Sequence, residues 1–185
     1  MTKDFSPLIK QLCVFFLISL FVSICKNEVI LNAFSTEYIY IVRISSITST
    51  IIGNSVSILL LFFIFLTTFY IAILFKWILS VESFVESSEN SVIVLFFGEA
   101  FKFSLIWLFL KEETNGFYFE NEKLEIESQL TKTIFYKFST YSNIVSAIIS
   151  IFIFQYFLAQ QKIDLKTAIQ TTLILSILLL VNILL

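Results

Sequence analysis

A chain of 185 residues with 58% hydrophobic and 14% charged side chains is far from the roughly 45–50% apolar and ~25% charged balance of soluble domains, which excludes an ordinary water-soluble globule. It contains no His, so His-ligated haem, His-containing zinc sites and His general bases are excluded together. A formal charge of −2 leaves no basic excess for phosphates, and no nucleic-acid partner is expected.

In chain order, the first charge-poor apolar run covers residues 8–25 and is long enough to cross the roughly 30 Å hydrocarbon layer of a bilayer. Ser6-Pro7 before it suits a helix start, with the hydroxyl as N-cap and proline at the first helical position. The run is read as a retained helix and not as a secretory signal, because Val22-Ser23-Ile24-Cys25 offers a bulky Ile where a cleavage site needs a small residue. Residues 44–75 carry no charge, a length that would make about 48 Å of helix, too much for one span. Gly53-Asn54 is the expected bend. It divides the region into an interfacial amphipathic segment, 38–52, with Tyr38 and Tyr40 at headgroup level, and a span, 55–75. The alternative is one long tilted helix.

Three further spans are expected at 91–110, 141–159 and 165–185. The turn Gln160-Gln161-Lys162-Ile163-Asp164 is short enough to make the last two helices antiparallel neighbours, with Asp164 capping the last. The extramembrane loop 111–140 carries six Glu. Within it Leu130, Ile134 and Phe138 recur at helical spacing, predicting a second amphipathic helix on the membrane surface, and 117–127 could form a hairpin. The expected fold is therefore all-α: one polytopic integral membrane bundle of about five transmembrane helices plus one or two interfacial helices. Lysines in the short flanks favour a cytoplasmic N-terminus. The abundance of Ile, Phe, Asn and Lys suggests an AT-rich source, which points to a bacterial cytoplasmic membrane or to an organelle.

The most informative polar feature is Gly98-Glu99-Ala100-Phe101-Lys102 in the third span. A charge at the bilayer centre costs roughly 2.5–3.5 kcal/mol on insertion scales, and Glu99 and Lys102, three residues apart, share a helix face and can offset that cost by pairing. The pair is read first as a packing and assembly feature. Docking of a partner helix and ion or proton transport are the sharper alternatives. On the fifth span Thr167, Gln170 and Thr171 cluster on one face, Asn182 lies near its end, and Gln155 of the fourth span is their expected hydrogen-bond partner. The stretch 76–90 places Trp77 as an interfacial anchor and Glu82, Glu86 and Glu89 as an acidic stripe with Phe84 opposite. It is a solvated connector or a docking surface.

No enzyme motif is present. The glycines at 53, 98 and 116 are isolated, so there is no phosphate-cradling loop, and a hydrolytic triad lacks its His. Cys13 and Cys25 are about 18 Å apart along one helix and are read as hydrophobes, not as a redox or metal pair. No cofactor, metal or small-molecule substrate is expected.

Phe75-Lys76-Trp77-Ile78-Leu79 running into Glu82-Ser83-Phe84, together with the end of the chain from Tyr141 to Leu185, resembles the Yip1-like five-span membrane proteins over residues 55–185. The connector lacks the glycines common in that family, and the third span lacks its proline. The resemblance implies a non-enzymatic multispan protein that acts through partners. The expected role is an accessory or scaffold subunit of a larger membrane assembly, with the bilayer and other integral membrane proteins as partners. The alternatives are a transport or channel component using Glu99 and Lys102, and an immunity protein against a secreted peptide.

Overall fold

A computed structural model describes residues 5–32, 39–75, 80–114, 130–161 and 163–184. Every regular element among them is helical: α1 (Ser6–Leu31), α2 (Ile39–Leu74), α3 (Val81–Leu105), α4 (Ile134–Gln160) and α5 (Leu165–Leu184). A π turn, Ile106–Leu110, and a further α-helical turn, Lys111–Thr114, prolong α3. The π turn is followed by Lys111, whose ammonium stands 5.6 Å from the Trp107 ring centre, a cation–π contact.

Four of these helices, Ser6–Leu31, Arg43–Leu74, Val81–Thr114 and Ile134–Gln160, are long and apolar enough to cross a membrane by length and composition. α5, with 20 residues, is apolar along Leu165–Leu179. Side chains such as Leu17, Phe63, Phe97, Phe152 and Ile177 are exposed on the outside of the bundle. Large apolar groups on the flanks of long helices match a hydrocarbon surrounding and would be unfavourable in water.

Several expected boundaries move. α1 starts at Ser6 with Phe5 in the N-cap position and no side-chain cap, so Ser6 is the first helical residue and Pro7 the second. At its other end α1 runs past residue 25 to Leu31. α2 is a single helix of 36 residues, without a break at Gly53-Asn54 and without a separate interfacial segment at 38–52. The reason is a ladder of polar contacts between α1 and α2. Ser19 donates to Asn54 Oδ1 at 2.8 Å, Asn27 donates to Thr50 Oγ1 at 2.5 Å, and Arg43 pairs with Glu28 at 2.9 Å. Asn54 also donates to the Thr50 carbonyl at 2.9 Å. The breaker pair is thereby held in helical geometry, and tertiary contact overrides local propensity. Of the 76–90 connector, residues 81–90 are helix as well: α3 begins at Val81, with Ser80 Oγ accepting from the Ser83 N–H at 3.0 Å. The amphipathic 130–138 element is mostly the first turns of α4, which starts at Ile134. That start is capped twice. Thr133 Oγ1 accepts from Tyr136 N–H at 3.1 Å, and the Glu113 carboxylate accepts from Ile134 and Phe135 N–H at 2.8 and 3.3 Å, satisfying donors that a helix start leaves bare. Asp164 stands immediately before α5, where its carbonyl accepts from Ala168 N–H at 3.0 Å. The 117–127 hairpin, Tyr38, Trp77 and the side chains of Tyr40 and Asn182 lie outside the described residues.

The helices close into a ring in the order α1, α3, α4, α5, α2, each packing on the next and α2 returning to α1. Aromatic pairs set the directions. Phe15 stacks on Phe96 with centroids 5.8 Å apart and Phe21 meets Phe103 at 5.7 Å, so α1 and α3 are parallel. Phe5 meets Phe69 at 5.4 Å, so α2 is antiparallel to α1. The half of the ring nearest Leu8 is closed by an apolar core drawn from all five helices, including Leu8, Phe65, Phe69, Phe84, Phe154 and Leu175. The half nearest Lys26 has a smaller core, Val22, Leu105, Ile106, Leu110 and Phe135, from α1, α3 with its extension, and α4.

Candidate functional site

The α3–α4 seam is the most extensive helix contact, and its sequence explains how close it is. Small residues face one another: Ser91 and Ser150 hydroxyls are 2.6 Å apart, and Ser142 reaches the Gly98 carbonyl at 3.5 Å. A Cβ placed on Gly98 would collide with Ser146 Oγ and lie 3.0 Å from its Cβ. Glycine is required here for approach, since small residues let helix backbones come together.

This contact sets Glu99 into the bundle. Glu99 is 6% exposed, and Lys102 Nζ meets its Oε1 at 2.5 Å, the pairing that the three-residue spacing predicts. Taking the Phe15–Phe96 and Phe21–Phe103 stacks as register marks, Glu99 is level with the middle of α1. The carboxylate is thus buried at mid-depth, where an unpaired charge is most costly.

A third charge joins this pair. Lys26, excluded from the first span as a terminal residue, lies within α1 and within electrostatic reach of both Glu99 and Lys102. Among the described residues these three form an interacting group of two cations and one anion. The signal was present in the chain: Val22, Cys25 and Val29 continue one helical face across Lys26-Asn27-Glu28, and all three join the smaller core. Among the described residues, no ion pair or hydrogen bond engages the Lys26 ammonium.

Lys26 opens on a half-enclosed cleft of about 460 Å³ between the α1 C-terminal turns and the start of α4, walled by Thr133, Tyr136, Ser139, Thr140 and Asn143. None of these wall residues was singled out from the sequence, because each is an ordinary polar residue of a helix start. Only the packing of α4 against α1 and α3 gathers them. The Lys26 ammonium with the hydroxyls of Tyr136 and Ser139 and the Asn143 amide offers donors to an anion, while the Thr133 and Thr140 hydroxyls are donated to the Leu130 and Tyr136 carbonyls. Among the described residues no group of three or more His, Cys, Asp or Glu could hold a metal ion.

The remaining candidate residues separate. Thr167 and Thr171 are buried, but Thr171 donates to the Thr167 carbonyl of its own helix at 2.8 Å, as Thr172 does to Ala168 at 2.8 Å. Among the described residues no hydrogen bond joins Gln155 to Gln170 or to these threonines, so the expected polar bridge between the last two helices is absent there. The Thr171 and Thr172 hydroxyls are satisfied within one helix. Phe84 is not a docking group: it is 0% exposed, between Phe69 at 5.1 Å and Phe154 at 5.6 Å. Glu82 and Glu86 are exposed and Glu89 half-buried on the outer side of α3, and Glu86 accepts from Gln161 after α4. Comparison with known proteins gives no relative: no protein family, curated protein or solved structure matches this chain.

Proposed function

We propose that all five helices cross a bilayer and that the protein works by binding, as an accessory subunit of a larger membrane assembly, not by conduction or catalysis. The observation that carries this reading is the asymmetry of the ring. One half is filled by Leu8, Phe65, Phe84, Phe154 and Leu175 at or near zero exposure, while the other holds a charged cleft. A cleft that stops at an apolar core suits a docking or binding site, whereas a conductor needs a polar path through both halves. The exposed apolar flanks supply lipid contact and surfaces for neighbouring helices. The layout shared with Yip1-like proteins points in the same direction, toward a protein acting through partners. A cytoplasmic N-terminus in a bacterial inner membrane belongs to the same proposal.

A transport role is the second reading, favoured by the convergence of Lys26 on Glu99 and Lys102. Two experiments separate the readings. Tagged protein extracted from native membranes in mild detergent should bring down defined membrane proteins, identified by mass spectrometry. Purified protein alone in liposomes should pass no ion or solute. Flux that disappears in Glu99→Gln, with expression unchanged, would replace the subunit reading by transport.

A further inference from the structure

We propose that the cleft beside Lys26 is a binding site for the phosphate headgroup of an anionic phospholipid. The inference rests on the membrane-spanning reading but is independent of the subunit role. Charge comes first. Lys26 and Lys102 face a single carboxylate, Glu99, and that carboxylate is already engaged by Lys102 at 2.5 Å. Among the described residues the group of Lys26, Lys102 and Glu99 therefore carries one cation in excess, and Lys26 has no acceptor. A partly buried ammonium without an acceptor is unfavourable unless an anion joins it.

Position comes next. Lys26 stands about 11 Å along the axis from the middle of α1, a few ångströms short of the hydrocarbon boundary of a layer roughly 30 Å thick. The cleft that holds Lys26 continues past Ile30 to Leu130 and Thr131, so a headgroup phosphate can enter it toward an ammonium at that depth.

The walls then select the anion. Tyr136, Ser139 and Asn143 present hydroxyl and amide donors, Ile30 adds apolar surface, and the Thr133 and Thr140 hydroxyls are already donated to the Leu130 and Tyr136 carbonyls. A phosphodiester presents unesterified oxygens for such donors and brings glycerol and upper acyl carbons for the apolar part. A cleft of about 460 Å³ has room for a headgroup and is larger than inorganic phosphate requires. Basic pockets between transmembrane helices bind anionic headgroups on the same physics.

The test uses full-length protein purified in neutral detergent, with the thermal midpoint followed as lipid is added. Phosphatidylglycerol should raise the midpoint saturably and phosphatidylcholine should not. Lys26→Gln should weaken the phosphatidylglycerol effect by about tenfold or more, the scale of one hydrogen bond to a charged group. Lys166→Gln, exposed at the opposite end, should leave it unchanged. Ser139→Ala, on the facing wall, should also weaken it, so that a folding defect in Lys26→Gln does not decide the matter alone. An equal response to inorganic phosphate would assign the cleft to a free anion and overturn the lipid assignment. An equal response to phosphatidylcholine, or undiminished binding in both Lys26→Gln and Ser139→Ala, would overturn the site. Co-purification of partners is unaffected by any of these outcomes, so failure here and failure of the subunit reading are distinguishable.

Discussion

Gly53 and Gly98 both sit inside helices, yet their surroundings give substitution opposite signs. Nothing lies within 4 Å of a Cβ built on Gly53, so Gly53→Ala should stabilise by about 0.5–1 kcal/mol through reduced backbone entropy of the unfolded chain. At Gly98 the serine hydroxyl can rotate away, but the Ser146 Cβ at 3.0 Å cannot. Gly98→Ala should cost on the order of 1–3 kcal/mol, as overpacking does, and Ser146→Gly should restore part of it. Thermal midpoints of the three variants check both signs, and stabilisation by Gly98→Ala would mean the α3–α4 seam is looser than described. The buried pair permits a sharper cycle. Glu99→Gln leaves the Lys102 ammonium beside Lys26 without compensation, and breaking one side of a buried pair costs roughly 3–5 kcal/mol. The double change Glu99→Gln/Lys102→Gln should recover at least half of that loss in denaturation. If the double variant is no better than the single one, the pair is not coupled.

Among the elements, α2 differs most from expectation. Its polar positions read as an interruption because Gly, Asn, Ser and Thr break or cap helices in isolation. In the bundle the same residues bond to α1, through Ser19–Asn54 and Asn27–Thr50. Exchange of Asn54 for Leu should therefore weaken the α1–α2 seam by about 0.6–2 kcal/mol, the range of interhelical hydrogen bonds in membranes. A helical content that falls only around residue 54, with no change in thermal midpoint, would contradict the ladder. The Glu28–Arg43 pair, with side chains 36% and 39% exposed, should contribute about 0–1 kcal/mol, and Arg43→Gln should change the midpoint little. The seam α3–α4 runs instead on small residues, which explains how a carboxylate at position 99 can be drawn inside without opening a void.

For the whole molecule, the ring of five helices makes a topological statement. If each crosses the bilayer, reporters fused to the two ends of the chain must lie on opposite faces, and reporters on the same face would remove an odd number of crossings from consideration. The closed half of the ring predicts silence in flux assays, and the open half predicts sensitivity to anionic lipid. These outcomes belong to one architecture, in which the interior charges lie from mid-depth toward one end, while buried hydroxyls of the other half, such as Ser87, Ser88 and Thr171, bond within their own helices.

The apolar runs, and the Glu99–Lys102 spacing, were decided by the sequence alone. Long apolar stretches have one economical solution in a bilayer, a helix that satisfies its own backbone, and a three-residue separation joins two side chains on any helix. The tight turn between α4 and α5 was equally legible, because five residues cannot carry the chain to a distant neighbour. What followed only from tertiary structure was everything that depends on a second helix. Helix ends were misplaced by several residues because Glu113, Ser19 and Asn54 act across elements, and the hydroxyls of Thr171 and Thr172 went to their own helix, not to a neighbouring one. Phe84 became core because Phe69 and Phe154 arrive from two other helices. Lys26 joined the charged group because α1 and α3 lie parallel in a register fixed by stacked phenylalanines. Local pattern specifies which segments are helices. Their mutual rotation and depth, which bring a lysine to a cleft, are collective properties of packing that no single stretch of sequence contains.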